Sequence, residues 1–326
     1  GHYMQDVKDK ESKNYKKQAL NSLLCCLWKG GRMMGKRTAK TVKEAVSYIE
    51  EHLDGKLTLP AVAEGIHYSK YHLHRMFRET TGMTMHDYIL RRQMTEAAKL
   101  LVFSRRPVIE IGYVCGYESQ QAFTAAFTAM YKIPPAEYRR RQTFYPLQLR
   151  FWIREETGIE GIEKSDVRLA EMDDIPEWME LVWLVIDGYP YLDETDYIRK
   201  LKSAIRQKRA LILKKKEETL GVLCFSRKTG EIEFLGVHPQ YRKAGIQRLF
   251  LEVLLETYLP EQKISITTYR RRDRADTGYR RELLELGFAE RELLVEYGYP
   301  VQRFVYPPDM KEDTAHANTT GKETTF

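Results

Sequence analysis

The sequence predicts a multidomain protein, with an all-α N-terminal part followed by an α+β C-terminal part. Three observations predict this division: the length of 326 residues suits about two domains; apolar residues recur at helical spacing up to about residue 141; and helix-like and strand-like segments alternate from residue 167 onward. Charge divides in the same way. Residues 1–150 hold 25 Lys and Arg against 14 Asp and Glu, whereas the remainder holds 28 against 32. The basic half indicates an anionic partner, with nucleic acid first.

Composition excludes several classes of protein. No window approaches the roughly 18 uninterrupted apolar residues of a membrane-spanning helix. The four cysteines are spaced neither as a disulfide framework nor as a zinc site. We therefore expect a cytoplasmic protein with no membrane anchor. His67, His72 and His74 lie close together in the sequence, but their spacing does not align three ligands on one helical face. No metal site is predicted.

Both ends of the chain are predicted to be disordered. Residues 1–33 are polar and Lys-rich without sustained periodicity, as in a disordered leader or a remnant of an expression vector. We take Met33 or Met34 as the natural start. Residues 309–326 form a polar tail of the same kind.

Residues 34–142 form the predicted helical domain. Val42, Val46 and Ile49 fall on one helical stripe that stops at Asp54-Gly55. A helix over residues 59–65 carries Pro60 in its first turn, where a missing N–H does no harm. The remaining predicted helices are one capped by Ser69, then 84–103, 108–115, 119–131, and a short one opening at Pro134-Pro135.

An internal repeat is the sharpest signal in this domain. Four positions recur at a constant offset of 50 residues: Ser69, Leu73, Phe77 and Tyr88 return as Ser119, Phe123, Phe127 and Tyr138. Each copy reads as a short helix, a turn and a Ser-capped helix with an apolar seam. This pattern predicts two helix-turn-helix units joined by one long helix, able to enter successive major grooves about 34 Å apart.

The same stretch carries a family resemblance. The runs SKYHLHRMFRETTG (69–82), AAKLL (97–101), ESQQAFTAAF (118–127) and PAEYR (135–139) resemble the AraC/XylS transcription regulators over residues 40–141. The resemblance implies a reader of an asymmetric promoter site, often an activator that contacts RNA polymerase. DNA-reading residues carried over onto the first recognition helix and its cap are Ser69, Tyr71, His74, Arg75 and Arg78. Arg75 is the expected two-pronged contact to guanine.

The second unit departs from the family pattern. Its carried-over positions are Ser119, Gln120, Gln121 and Thr124. Ala125 stands where a basic residue is usual, and Lys132 stands where a Gly is usual. We therefore expect looser sequence reading by this unit, with phosphate contacts from Arg139 and Arg140.

The C-terminal part begins after residues 143–165, which are either a linker or a packing strap. From residue 166 to 308 we predict strands over 167–172, 210–214, 220–226, 231–237, 263–268, 293–297 and 301–306, and helices over 175–186, 196–205, 245–258 and 279–286. Within this order, residues 231–250 read as a strand, a short loop and a helix. Backbone N–H groups at such a helix start suit a pyrophosphate.

That run resembles the GNAT superfamily of acetyl-CoA-dependent N-acyltransferases, over about residues 167–306. The family loop Q/R-x-x-G-x-G/A is matched from Arg242 to Gln247, with Gln247 in place of the last small residue. The resemblance implies acetyl-CoA binding by Leu235, Val237, Arg242, Lys243, Ala244, Gly245, Ile246 and Gln247.

Catalytic positions match only in part. Glu231 falls where a general base often lies, and Glu233 shares its strand face, where each carboxylate would raise the pKa of the other. Leu283 occupies the position at which a Tyr commonly protonates the departing CoA thiolate. The leading hypothesis is therefore a DNA-binding regulator whose second domain binds acetyl-CoA or a small-molecule effector. The alternatives are a working N-acetyltransferase with an amine substrate, and a domain for interaction or dimerisation only.

Overall fold

The computed structural model describes residues 36–155, 159, 161–185, 193–296 and 299–307, and the predicted leader and tail lie outside these ranges. Residues 36–141 are helical, as predicted. The helices are α1 (Lys36–Glu51), α2 (Leu59–Gly65), α3 (Lys70–Thr81), α4 (Met85–Phe103), α5 (Val108–Val114), α6 (Gln120–Tyr131) and α7 (Pro135–Arg141). The all-α class of this part is confirmed.

The long helix α4 joins two separate cores. Its N-terminal half buries Met85, Tyr88 and Ile89 in a core with α1, α2 and α3. Its C-terminal half buries Met94 and Leu101 in a second core with α5, α6 and α7. Each helix-turn-helix unit therefore has its own apolar interior, and α4 fixes the distance between the two.

Residues 143–155 pack on the helical domain as a strap, the second of the two alternatives left open by the sequence. Thr95 Oγ1 accepts hydrogen bonds from the backbone N–H groups of Leu147 and Gln148, each at 3.1 Å. Phe151 is buried and its ring stacks on Tyr88 with centroids 4.8 Å apart. The chain thus leaves the second unit and runs back across α4 to the first.

The C-terminal part is α+β, as predicted. Its strands are β1 (Val167–Leu169), β2 (Ala210–Lys215), β3 (Glu218–Phe225), β4 (Ile232–Val237), β5 (Ile264–Tyr269), β6 (Ala289–Glu296) and β7 (Tyr299–Tyr306), and its helices are α8 (Ile175–Val185), α9 (Glu194–Arg206), α10 (Ile246–Val253) and α11 (Tyr279–Glu285). One antiparallel sheet has the order β1-β2-β3-β4 and a second has the order β5-β7-β6.

Helices cover both faces of the first sheet. Every residue of β3 is buried, which is why residues 220–225 read as a nearly continuous apolar run. One face packs against α8 and α9 around Trp178, and the other packs against α10 and α11 around Phe250. Within the described ranges, no helix combines the length and apolarity needed to cross a membrane.

Several predicted boundaries shift in the structure. β1 ends at Leu169 because Glu171 and Asp174 form a capping box around a 3-10 turn at residues 172–174. The helix predicted over 245–258 ends at Val253 and continues as a π-helical turn. β6 begins four residues before the predicted strand, since its residues 290–292 are charged and gave no apolar signal.

Candidate DNA-binding surface and interdomain cleft

The repeat found in the sequence forms the interior of both helix-turn-helix units. Six seam residues are at most 1% exposed: Leu73, Phe77, Tyr88, Phe123, Phe127 and Tyr138. Both recognition helices also end on a residue in the left-handed conformation, Gly82 at φ +76° and Lys132 at φ +66°. The offset of 50 therefore extends to the helix ends.

The first recognition helix, α3, presents its predicted DNA-reading residues to solvent. Tyr71 is 76% exposed, Arg75 and Arg78 are exposed, and His74 is half-buried. Lys70 Nζ lies 4.9 Å from the centre of the Tyr71 ring. Leu73 and Phe77 on the opposite face point into the core, so the helix is held with its basic face outward.

The two predicted caps differ. Ser119 Oγ accepts a hydrogen bond from the N–H of Ala122 at 3.2 Å and so caps α6. Ser69 has the extended backbone of an N-cap, but its side chain makes no capping hydrogen bond. The prediction that the Ser69 side chain caps its helix is therefore wrong, and Ser69 keeps an exposed hydroxyl at the start of α3.

The second recognition helix, α6, presents a neutral face. Gln120, Gln121 and Ala125 are exposed and Thr124 is half-buried, and together they line a shallow groove. The helix sequence QQAFTAAFTAMY contains no charged residue. Amides and hydroxyls can read adenine or phosphate, but this face supplies no long-range attraction to DNA.

The two arginines predicted to contact phosphate differ in their surroundings. The Arg139 side chain donates to the carbonyl of Leu101 in the last turn of α4, at 3.1 Å, and to the carbonyl of Arg106 in the following loop, at 2.6 Å. Arg140 is exposed and pairs with Glu137. A phosphate contact by either arginine stays a prediction, and for Arg139 it would cost two internal hydrogen bonds.

In the C-terminal part, a cleft opens between two strands. Glu231 and Ser265 form a single parallel bridge, after which β4 and β5 diverge. The cavity between them has a volume of about 330 Å³. Four of the eight predicted acetyl-CoA-binding residues line it, namely Leu235, Val237, Arg242 and Gln247. Lys243, Ala244 and Gly245 are exposed on the loop outside, and Ile246 is buried in the core.

Arg242 is held inside the protein. Its Nη2 lies 3.2 Å from Glu282 Oε1, and its guanidinium lies 4.5 Å from the centre of the Tyr279 ring. A Cβ added at Gly82 would lie 2.7 Å from Arg242 Cδ, so the side chain also packs against the end of α3. Gln247 Nε2 donates to the other oxygen of Glu282 at 3.1 Å. The side chain of Arg242 is therefore occupied, and a pyrophosphate at this loop would use backbone N–H groups and Lys243.

The carboxylates in or beside the cleft include Glu231, Glu233 and Glu296. The sequence identified the first two. Glu231 lies where the strands meet, whereas Glu233 lines the cleft and pairs with Arg209 at 2.9 Å. Glu296, from β6, also lines the cleft and accepts a hydrogen bond from Thr267 at 3.1 Å. Burial raises the pKa of Glu296, the Thr267 hydroxyl lowers it, and nearby Glu231 raises it further. Glu296 was not predicted from the sequence because no motif surrounds it.

The helical domain and the strap supply part of the cleft wall, which the sequence did not predict. Met130, Lys132 and Leu147 line the cavity beside Asp273 and Ala275. Lys132 Nζ lies 2.6 Å from Asp273 Oδ1, and the Asp273 side chain is 2% exposed. The one available signal was the lysine at a position where the resemblance expects glycine.

The comparisons with known proteins locate the helical half among DNA-binding proteins. A family model described as a helix-turn-helix domain matches residues 62–141. The chain is 40% identical over 101 residues to the multiple antibiotic resistance protein MarA of Escherichia coli (strain K12), covering 31% of this chain and 80% of MarA. It is 38% identical over 102 residues to the regulatory protein SoxS of the same strain, covering 31% of this chain and 95% of SoxS.

A solved structure is similar to the other half. It is an acetyltransferase of the GNAT family from Bacillus cereus ATCC 10987, 19% identical, with 43% of this chain and 94% of that chain covered and a TM-score of 0.34. The family assignment rests on the helical half alone, where a matching domain model, two relatives and a duplicated recognition unit agree. The chain belongs to the AraC family of DNA-binding transcription regulators.

Proposed function

We propose that this regulator binds a small-molecule effector, with acetyl-CoA as the first candidate, in the cleft between β4 and β5. The observation that carries the proposal is the cleft itself, which lies beside the start of α10 and is walled by both parts of the chain. Concave, largely apolar cavities with a few convergent polar groups are the usual sites for such ligands.

The loop before α10 supports the choice of acetyl-CoA. Gly245 has φ +77° and space around it, and Lys243 and Ala244 are exposed. The first N–H groups of a helix have no partner within the helix and favour a negative charge. A pyrophosphate at this loop would place the rest of the cofactor along β4 toward the cleft.

Calorimetric titration of acetyl-CoA into the full chain tests this proposal. We expect saturable binding, weakened about threefold to tenfold in Lys243→Ala because a phosphate contact is lost. Lys228→Ala, an exposed lysine in the turn before β4, is the matched control and should leave binding unchanged. Absence of heat at millimolar acetyl-CoA and CoA would remove this ligand from the proposal.

A second candidate is an active N-acetyltransferase that carries a DNA-binding domain. Glu296 favours it, since a half-buried carboxylate with a raised pKa suits a general base. Such a base would take a proton from an ammonium group, the freed amine would attack the thioester carbonyl, and the C–N bond would form as the C–S bond breaks. Leu283 lines the cleft without a hydroxyl to protonate the departing thiolate, which disfavours this candidate.

Turnover with polyamine or aminoglycoside substrates separates the two candidates. An enzyme would release CoA, with a rate that falls at least about hundredfold in Glu296→Gln or in Glu231→Gln. Binding without turnover supports the regulator. If acetyl-CoA does not bind and nothing turns over, a different effector or a role in interaction or dimerisation is left, and the sedimentation coefficient of the full chain tests dimerisation.

We further propose that the protein activates transcription in the cytoplasm by contacting RNA polymerase. The family resemblance supports this proposal. In transcription reactions with purified polymerase and a promoter carrying a DNA site that the chain selects from a random pool, we expect the chain to raise transcript yield. A lower yield would make the protein a repressor.

A further inference from the structure

One segment of the C-terminal part contacts the second helix-turn-helix unit and the connecting helix directly, and it reaches the first unit through Arg242. This segment, residues 273–286, consists of a loop and α11. Asp273 receives Lys132 Nζ from the end of α6, and the carbonyl of Ala275 accepts from Arg91 Nη1 on α4 at 2.9 Å. Glu282 holds Arg242, whose side chain packs on Gly82 at the end of α3. The segment thus connects to both recognition helices and to the helix between them.

The same segment forms one wall of the cleft. Asp273, Ala275, Tyr279, Glu282, Leu283 and Leu286 all line the cavity. Met130 and Lys132, from the last turn and the end of α6, complete the wall beside them. Any occupant of the cleft therefore lies against the residues that hold the recognition helices in place.

Among these connections, the ion pair between Lys132 and Asp273 has both of its side chains in the cleft lining, where a ligand can contact them. Lys132 holds a left-handed backbone that a non-glycine residue adopts at a cost, and its ammonium group spans from the Ala129 carbonyl to Asp273. Its counterpart in the first unit is glycine, which needs no such compensation. An occupant that competes for Asp273 or for the Lys132 ammonium group would release strain at the end of α6 and change its orientation relative to α3.

We propose that the cleft is an interdomain effector site, and that its occupancy changes DNA affinity through the Lys132–Asp273 pair at the end of the second recognition helix. This inference rests on the proposed function, because it assumes that the cleft holds a ligand. Two sites coupled in this way must affect each other equally: if an occupant changes the affinity for DNA, DNA changes the affinity for the occupant by the same factor.

The first experiment measures this reciprocity in the full chain. Acetyl-CoA is titrated calorimetrically into protein alone and into protein saturated with a duplex selected from a random pool. We expect the two dissociation constants to differ by at least about fivefold, and the ratio to fall to about one in Lys132→Gly. Lys208→Gly is the matched control, since Lys208 is an exposed lysine with φ +54° that lies outside the cleft lining. Equal constants in the wild-type chain would overturn the coupling and leave acetyl-CoA binding intact.

A second experiment needs no ligand. Val301→Trp places a large side chain in the cleft, and Val295→Trp places the same side chain on an exposed strand position outside it. We expect Val301→Trp to change the dissociation constant for the selected duplex at least about fivefold, and to lose that effect in a Lys132→Gly background. Far-ultraviolet circular dichroism checks that each variant folds. If Val301→Trp folds and binds DNA like Val295→Trp, the coupling is wrong even where acetyl-CoA fails to bind.

Discussion

The two helix-turn-helix units share one architecture and differ in the charge of the recognition-helix face that each exposes. Both bury equivalent seam residues, and both end their recognition helix on a left-handed residue. However, α3 carries Lys70, Arg75, Arg78 and Glu79, whereas α6 carries no charge. The two repeats therefore share their buried residues and the conformation at the helix end, whereas the residues on the exposed helix face differ.

This difference predicts that the two units contribute differently to DNA affinity. Arg75 and its neighbours are the predicted source of charge-assisted contacts from the first unit to bases and phosphates. The second unit has a neutral reading face but a charged end, where Lys132 joins the C-terminal part. We infer that the first unit contributes most of the affinity for DNA and that the second responds to the state of the cleft.

The largest expected change in stability comes from substitutions that test whether the interiors of the two units are equivalent. Phe77→Ala and Phe127→Ala each remove a fully buried ring, and each should lower the free energy of unfolding by about 3–5 kcal/mol. Urea denaturation followed by circular dichroism measures both. Phe103→Ala, at an aromatic position that is 70% exposed, is the control and should cost far less. A cost below about 1 kcal/mol for either buried ring would mean that the two interiors are not equivalent.

The next effect concerns the reading faces. Arg75→Ala should weaken binding to the selected duplex by about 1–3 kcal/mol, because it removes the side chain predicted to make a two-pronged contact to guanine. Gln121→Ala should cost less, since it removes a neutral side chain. Fluorescence anisotropy with the selected and scrambled duplexes measures both, and Arg206→Ala on α9 controls for the loss of an exposed arginine. An equal loss for Arg75→Ala and Gln121→Ala would show that the charged face has no special role.

The sequence predicted those features whose pattern lies within a short stretch of the chain. The helices and the repeat were predictable because seam residues such as Leu73 and Phe77 recur within about one turn of the same helix. The cleft wall was not, because Lys132 and Asp273 are 141 positions apart and Arg91 and Ala275 are 184 apart. Glu296 became a candidate only when the fold brought the end of β6 within hydrogen-bond distance of Thr267 on β5. Pairing between distant residues leaves no local pattern.

A third prediction examines the contact between the first unit and the C-terminal part. His238 precedes the turn at residues 239–241 that packs on α3, and burial, assisted by the positive charge of Arg154, lowers its pKa to about 4. The unfolded value is about 6.5, so protonation favours the unfolded chain, and the stability present above pH 6.5 is lost as the pH falls toward 4. Between pH 7 and pH 5 this residue should cost about 2 kcal/mol.

Urea denaturation at both pH values measures that loss. In the wild-type chain, His238 Nδ1 accepts a hydrogen bond from the N–H of Gln240 at 3.2 Å. The His238→Asn variant keeps an acceptor at this position, but its side chain does not titrate. The variant should therefore lose about 2 kcal/mol less than the wild-type chain on acidification. Parallel pH profiles for the two proteins would show that His238 is already free to protonate in the folded state.

A fourth prediction concerns the end of α3. Gly82→Ala introduces a Cβ at φ +76° and 2.7 Å from Arg242 Cδ, so it should lower the free energy of unfolding by about 1–2 kcal/mol. Gly55→Ala is the control, since Gly55 has φ +94° but no atom within 4 Å of the added Cβ. Differential scanning calorimetry should place Gly82→Ala below Gly55→Ala in melting temperature. The reverse order would mean that Arg242 moves aside without cost and that the first unit is loosely attached.

The smallest effect separates the two caps. Ser119 Oγ accepts from the N–H of Ala122, so Ser119→Ala leaves an N–H at the start of α6 without its partner and should cost about 1 kcal/mol of stability. Ser69→Ala should be nearly neutral, because its hydroxyl makes no capping bond in the free protein. For DNA affinity the order should reverse: the Ser69 hydroxyl is exposed at the start of the charged helix, where it can donate to a phosphate, whereas Ser119 is half-buried at the start of an uncharged helix. Urea denaturation and anisotropy on the same pair of variants give both quantities. Equal stability losses would mean that the two repeats are capped alike in solution, and the distinction between a reading end and a structural end would then disappear.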